Sequence, residues 1–133
     1  MKDVTRGHLD KAARAVRAAT LLLEDGHADF AASRASFALL YTTGALLGEE
    51  DLRVAEQLDL HGQLRERFAR TRSLDVSFAR QVADGVALRL RADYDSAAAI
   101  SPEAARAALA EARAFVASAE AYLATREATA RAA

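Results

Sequence analysis

With 133 residues and a formal net charge of −1, the chain is of single-domain size and has no overall pull toward nucleic acid or anionic membrane. It contains no cysteine, which excludes disulfides, thiolate metal sites and thiol nucleophiles. Its apolar runs fall short of the roughly 18 residues a membrane span needs, and Met1-Lys2-Asp3-Val4-Thr5-Arg6 lacks a signal-peptide core, so a cytoplasmic protein is expected.

Alanine, leucine and arginine dominate and proline occurs once, a composition that favours helices. A first helix is expected from near Asp3 to Asp25, with Leu9, Ala12/Ala13, Val16, Ala19 and Leu22/Leu23 on one face and Gly26 as its stop. The second should run from about Ala28 to Leu47 and end at Gly48. Its stripe is Phe30, Arg34, Phe37/Ala38, Tyr41 and Ala45, in which Arg34 is an anomaly: a charge in phase with aromatics. A buried guanidinium needs a carboxylate, a carbonyl or a water-filled cleft. Residues 49–60 are acidic and weakly patterned, either a short helix or an ordered loop.

Leu60, Leu64 and Phe68 then repeat at four-residue steps and predict a short third helix. Thr71-Arg72-Ser73 reads as a break, with Ser73 able to cap a fourth helix. That helix carries Leu74, Phe78, Val82, Gly85 and Arg89 in phase, so Arg89 continues the apolar face. Gly85 either admits close approach of another group or has no role. Ser101-Pro102-Glu103 opens a fifth helix with a cap, a proline at the first position and an early carboxylate. Its buried face is Ala105, Leu109, Ala112, Phe115/Val116, Ala119 and Tyr122/Leu123, and the tail 125–133 is expected to fray. The fold class is therefore all-α, an up-and-down bundle of four long helices and one short one. It forms one domain over residues 1–133 with its core at about 3–124.

Sixteen of the eighteen basic residues are arginine, which suits either a coding bias or phosphate contact through the planar guanidinium fork. Residues 61–91 set seven arginines against three carboxylates, a local basic region of about +4 in an otherwise acidic chain. Glu24-Asp25-Gly26-His27 has the Glu-x-x-His spacing of di-iron bundles, but Gly26 interrupts it and no second copy exists. Neither a metal nor a cofactor is expected. No Gly-rich phosphate loop or Gly-x-Ser-x-Gly turn occurs, so any phosphate contact falls to side chains. His8 is read as a surface residue. His61, opening the third helix, either serves that helix end or stands at a ligand cleft. Arg89-Leu90-Arg91-Ala92-Asp93-Tyr94-Asp95 gathers guanidinium, carboxylate and phenol groups within two turns. It is either an internal lock, with Asp93 on an arginine and Tyr94 in the core, or an anion site.

Asp29-Phe30-Ala31 with Ser33-Arg34-Ala35 resembles the second helix of the HEPN family. Leu60-His61-Gly62 is similar to the segment before that family's third helix. Arg89-x-x-Ala92-Asp93-Tyr94-Asp95 resembles the signature of one of its branches, and Ser101-Pro102-Glu103-Ala104-Ala105 with Ala112-Arg113-Ala114-Phe115-Val116 is similar to its closing helix. The resemblance spans roughly residues 8–123. It implies a helical domain that commonly homodimerises, with polar residues meeting in a cleft between protomers. Many members are metal-independent ribonucleases, toxin partners of small nucleotidyltransferases, that use an arginine followed by a histidine. From Arg89 the histidine positions of that motif fall on Tyr94, Asp95 and Ser96, and none is histidine.

That departure has a chemical cost. A histidine with a pKa near about 6.5 can take and return protons at neutral pH, whereas a tyrosine near about 10 is a poor base. The first expectation is therefore binding of RNA or a nucleotide in a basic cleft of a homodimer, in a toxin–antitoxin or defence setting. Arg89 and Arg91 would contact phosphate, Tyr94 would stack or hydrogen-bond, Asp93 would orient an arginine and Arg34 would line the cleft. The alternatives are a metal-independent ribonuclease that uses Arg89 with Tyr94 or His61, or a non-enzymatic partner of a nucleotidyltransferase.

Overall fold

The computed structural model describes residues 1–50, 60–69, 74–75, 77–97 and 99–132, without the side chains of 60, 61 and 69. Among the described residues five helices occur in order: α1 (Asp3–Glu24), α2 (Ala28–Glu49), α3 (Leu60–Leu64, running on as a π-helical turn over Arg65–Ala69), α4 (Ser77–Tyr94) and α5 (Pro102–Ala132). No strand occurs among the described residues.

The helix ends show why the chain breaks where it does. At the start of α1 the free donors are satisfied from another helix. The Glu49 carboxylate accepts the Lys2 N–H at 3.0 Å and the Thr5 hydroxyl at 2.5 Å. At its far end Gly26 takes φ +87°, the Gly26 N–H donates to the Leu23 carbonyl and the His27 N–H to that of Leu22. This is a Schellman ending, and the left-handed residue it requires favours glycine. Gly48 does not stop α2, which runs through it to Glu49; the Val4 side chain lies close over it, 3.6 Å from where a Cβ would be. The expected cap Ser73 lies outside the described residues. Asp75 serves the start of α4 by accepting the Ser77 N–H at 2.8 Å. Ser101 accepts the Ala104 N–H at 3.0 Å, and α5 continues to Ala132 instead of ending near Thr125.

Cross-helix contacts fix the topology. Val4 and His8 lie on Gly48 and Gly44, so α1 and α2 are antiparallel. Gly85 faces Leu39 and Ser36 while Leu88 packs on the cluster of Ala28, Ala31 and Ala32, so α4 runs antiparallel to α2. The Phe78 and Phe115 rings stack at 4.8 Å, and Leu88 packs with Ala105, which sets α5 antiparallel to α4. The order is up, down, up, down, as expected from the short connections.

α2 is the hub and is buried around most of its circumference, packing on α1, α4 and α5. Its buried residues are mainly alanines (Ala31, Ala32, Ala35, Ala38, Ala45) with Leu39, Leu46 and Leu47. Small side chains let helix axes approach toward the short end of the usual 8–10 Å range. Larger side chains close the other end of the bundle. Phe115 is fully buried, and Phe68 of the π-helical turn meets Tyr122 edge-on at 5.7 Å. Among the described residues no helix is long and apolar enough to cross a membrane.

Candidate functional site

The expected stripe of α2 straddles the rim of the core: its Ala38 and Ala45 are fully buried, while Phe37 and Tyr41 pack on the core from its edge. Phe30 is 51% exposed, and Arg34, Phe37 and Tyr41 are half-buried along the edge of α2 between α1 and α4. The core face is the alanine-rich one. This resolves the anomaly of Arg34: its guanidinium sits over the Phe37 ring at 4.2 Å, so it is stabilised by an aromatic face without full burial.

Arg89 reaches the same ring from α4, at 4.8 Å from its centroid. Its position follows from the helix period, since Phe78, Val82 and Gly85 are buried in phase with it. Only 11% of its side chain is exposed, and the Asp93 carboxylate stands one turn on, at 3.9 Å. That separation exceeds the roughly 2.7–2.9 Å of a charge-assisted hydrogen bond, so Asp93 balances the charge without clamping the fork. Gly85 makes the approach possible. A Cβ there would lie 2.9 Å from the Leu39 Cδ1 and 3.6 Å from the Ser36 Oγ.

The cluster continues toward α1. Tyr41 stacks on Phe37 at 5.8 Å, and the Lys11 ammonium lies over Tyr41 at 5.3 Å. His8, one turn before Lys11, is not simply a surface residue. Its Nδ1 is 2.9 Å from the Val4 carbonyl, and its ring lies on Gly44, with Nε2 3.0 Å from where a Cβ would stand. Val4, Gly7, His8 and Lys11 line an open recess of about 300 Å³. The signal for this part was present in the sequence: Gly44 and Gly48 prolong the stripe Phe30-Arg34-Phe37-Tyr41 at steps of three and four.

The expected site residues thus divide. Arg34, Arg89 and Asp93 come together around Phe37. Arg91 lies about 200° around the helix from Arg89 and Tyr94 about 140°, so neither shares that face. Arg91 is exposed, and Tyr94 is 76% exposed rather than packed in the core. Leu90, one turn before Tyr94, is 43% exposed. The backbone of His61 lies in the first turn of α3, and its side chain lies outside the described residues, as do Arg70 and Arg72 of the basic region. His27 bonds to Asp25 at 2.9 Å; among the described residues no three His, Asp or Glu side chains converge as a metal-ligand set.

A second recess of about 510 Å³ lies between the start of α4 and α5, lined by Leu74, Asp75, Phe78, Ser118, Ala121, Tyr122 and Thr125. It is mainly apolar and lies at the far end of α4 from the arginine cluster.

No curated protein sequence matches the chain. The family model described as HEPN domain matches residues 5–122, nearly the whole described bundle. With its all-α up-and-down architecture and this match, the chain belongs to the HEPN domain family.

Proposed function

We propose that this protein binds RNA or a nucleotide through the Arg34–Phe37–Arg89 cluster, with two copies of the chain bringing two such clusters together. The observation that carries the reading is the shared ring: one phenylalanine seats two guanidinium groups from different helices. A guanidinium attracted to a ring makes no hydrogen bond to it, so N–H groups that point away from the ring can fork onto phosphate oxygens. Two cations so close together raise each other's electrostatic energy, and an anion between them relieves it.

The homodimer has its own motive. Leu90 and Tyr94 form an exposed apolar pair one turn apart, next to Asp93, and Phe30 is exposed at the same end of α2. A second copy over Leu90 and Tyr94 would bury them, beside the face that carries the arginines. Light scattering tests it: a dimer is expected, and Leu90→Asp should yield a monomer. A monomeric wild type at working concentration removes the shared cleft.

Binding is favoured over cutting, because the described residues around Arg89 include no imidazole to move a proton. Arg89 would stabilise bound phosphate electrostatically, in a toxin–antitoxin or defence setting that pairs the chain with a nucleotidyltransferase. A filter-binding titration with RNA tests the reading. Arg89→Ala should weaken binding and flatten its salt dependence, and unchanged affinity and slope would overturn it. Cleavage of RNA in EDTA that Arg89→Ala abolishes would instead make the site catalytic.

A further inference from the structure

Cationic side chains do not stop at the arginine pair. Along the outer edge of α2, Arg34 and Arg89 sit on Phe37, Phe37 stacks on Tyr41, and Lys11 sits on Tyr41. The row then meets His8 on Gly44 and the recess of about 300 Å³ beside it. Three cations from three helices are thus held in single file by two stacked rings. Among the described residues the Asp93 carboxylate stands against the row at its Arg89 end.

The spacing has a consequence. The ten residues of α2 from Arg34 to Gly44 rise about 15 Å. That is far more than one phosphate group needs, and three cations along it can meet a short run of successive phosphates. The rings are already covered by cations, so the row offers charge and N–H donors rather than bare faces for base stacking. Such a surface follows a backbone and is indifferent to base identity. The row lies between α1 and α4, with Arg89 largely buried at one end and Lys11 exposed at the other. Modules that read double-stranded RNA span about 16 base pairs, far longer than this row, so a short single strand fits it better.

We propose that the row is a track for the phosphodiester backbone of a short single-stranded oligonucleotide, running from Arg89 and Arg34 past Lys11 to an end in the Val4–Gly7–His8–Lys11 recess. The inference rests on the RNA-binding reading above and extends it: the ligand is a strand, not a mononucleotide, and α1 takes part in holding it. Lys11 and the recess belong to the binding surface although neither lies near the Arg89–Asp95 motif. A recess of about 300 Å³ is at the small end of pockets that hold small ligands, and suits one terminal nucleotide better than a continuing chain.

Fluorescence anisotropy on labelled single-stranded octaribonucleotides, read over a salt series, tests the track. Three phosphate contacts predict a log–log slope of about −2.1 for a single strand, so a fourfold rise in salt weakens wild-type binding about eighteen-fold. Lys11→Gln removes one contact from an exposed position, and the same salt change should then cost about sevenfold. Lys11→Arg should restore the wild-type slope. Gly7→Leu, which fills the recess without changing charge, should weaken octamer binding and leave the slope alone; Gly7 has no neighbour within 4 Å of a would-be Cβ. Unlabelled AMP should compete poorly and equally against wild type and Lys11→Gln. If Arg34→Ala and Arg89→Ala flatten the slope but Lys11→Gln does not, the track is overturned and the two-arginine site stands. If the RNA duplex binds as tightly as the single strand, the single-strand assignment is overturned. If no arginine substitution changes binding, the RNA-binding reading itself falls and takes the track with it.

Discussion

Phe37 is the residue on which the site turns, because it is neither core nor surface. Its ring supports Arg34 and Arg89 at once, and each such cation–π contact contributes about 0.5–1 kcal/mol where partly exposed. Phe37→Leu keeps most of the apolar volume and removes the π face. The variant should lose about 1–2 kcal/mol of stability in a urea titration, and its RNA affinity should fall with no change in the number of charges. Retained affinity would show that the ring only fills space. Sequence periodicity placed Arg34 in phase with Phe37 but centred the stripe on the rim of the core: Ala38 and Ala45 in it are fully buried, while its aromatics lie at the edge. Both faces of α2 read as apolar, and alanine, which hydropathy patterns weight lightly, marks the true core face. The pairing of Arg89 with Asp93 follows from their four-residue spacing and was visible from the sequence. The outward turn of Tyr94 was not, because a tyrosine at a helix end satisfies the pattern for core or surface equally.

At the scale of the helices, two contacts decide how the elements seat. The start of α1 depends on Glu49 of α2. Burial would raise that carboxyl, but the hydrogen bonds from Thr5 and the Lys2 N–H, with the nearby positive charges of the Met1 amine and Lys2, hold it below its ordinary value near 4.5. A carboxyl depressed in the folded state contributes stability above its unfolded pKa and loses it as pH falls through the folded one. Wild type should therefore melt higher than Glu49→Gln at pH 7. The gap in Tm should close as pH drops below about 4.5, and a gap independent of pH would mean that shape rather than charge matters. The second contact is Gly85 against Leu39. Gly85→Ala gains about 1 kcal/mol of helix propensity and only nudges a terminal methyl, so its stability should be near wild type. Gly85→Val adds a branched side chain between α2 and α4 and should cost about 2–3 kcal/mol by chemical denaturation. Wild-type stability for the valine variant would mean the two helices are free to part. Element identity and order were legible for the described helices, since the 3.6-residue period, Gly26 and Ser101-Pro102 are local signals, while residues 51–59 lie outside the described ones. The extension of α2 through Gly48 was not, because that glycine serves contact with Val4, a tertiary fact.

For the whole molecule, α2 is gripped by α1, α5 and α4, while α4 and α5 touch mainly through Phe78 and Phe115 and through Leu88 at the other end. Between those contacts two like charges oppose each other. Burial, and then repulsion from Asp84 of α4, push the Glu111 carboxyl of α5 above its ordinary value. A carboxyl raised in the folded state costs stability at neutral pH, and the cost is relieved as pH falls through its folded pKa. Glu111→Gln should accordingly stabilise the bundle at pH 7 by a few tenths of a kcal/mol, the scale of surface charge pairs. Its advantage over wild type should shrink in mild acid, and a destabilised variant would show that Glu111 has a favourable partner instead. The α4–α5 seam is thus the looser side of the fold, and the arginine cluster sits on the tighter α2–α4 side, where its geometry is best preserved.

Seating two guanidinium groups on one phenyl ring also gives the protein a built-in reporter. Protons held over an aromatic face are shielded by its ring current, so the Nε–H signals of Arg34 and Arg89 should resonate away from those of the other arginines in a nitrogen–proton spectrum. Anything that lifts either group from Phe37, whether a phosphate, a second protomer or a substitution at Gly85, should move those two signals back toward the rest. Arg91, on the far side of the same helix, supplies a reference that stays still.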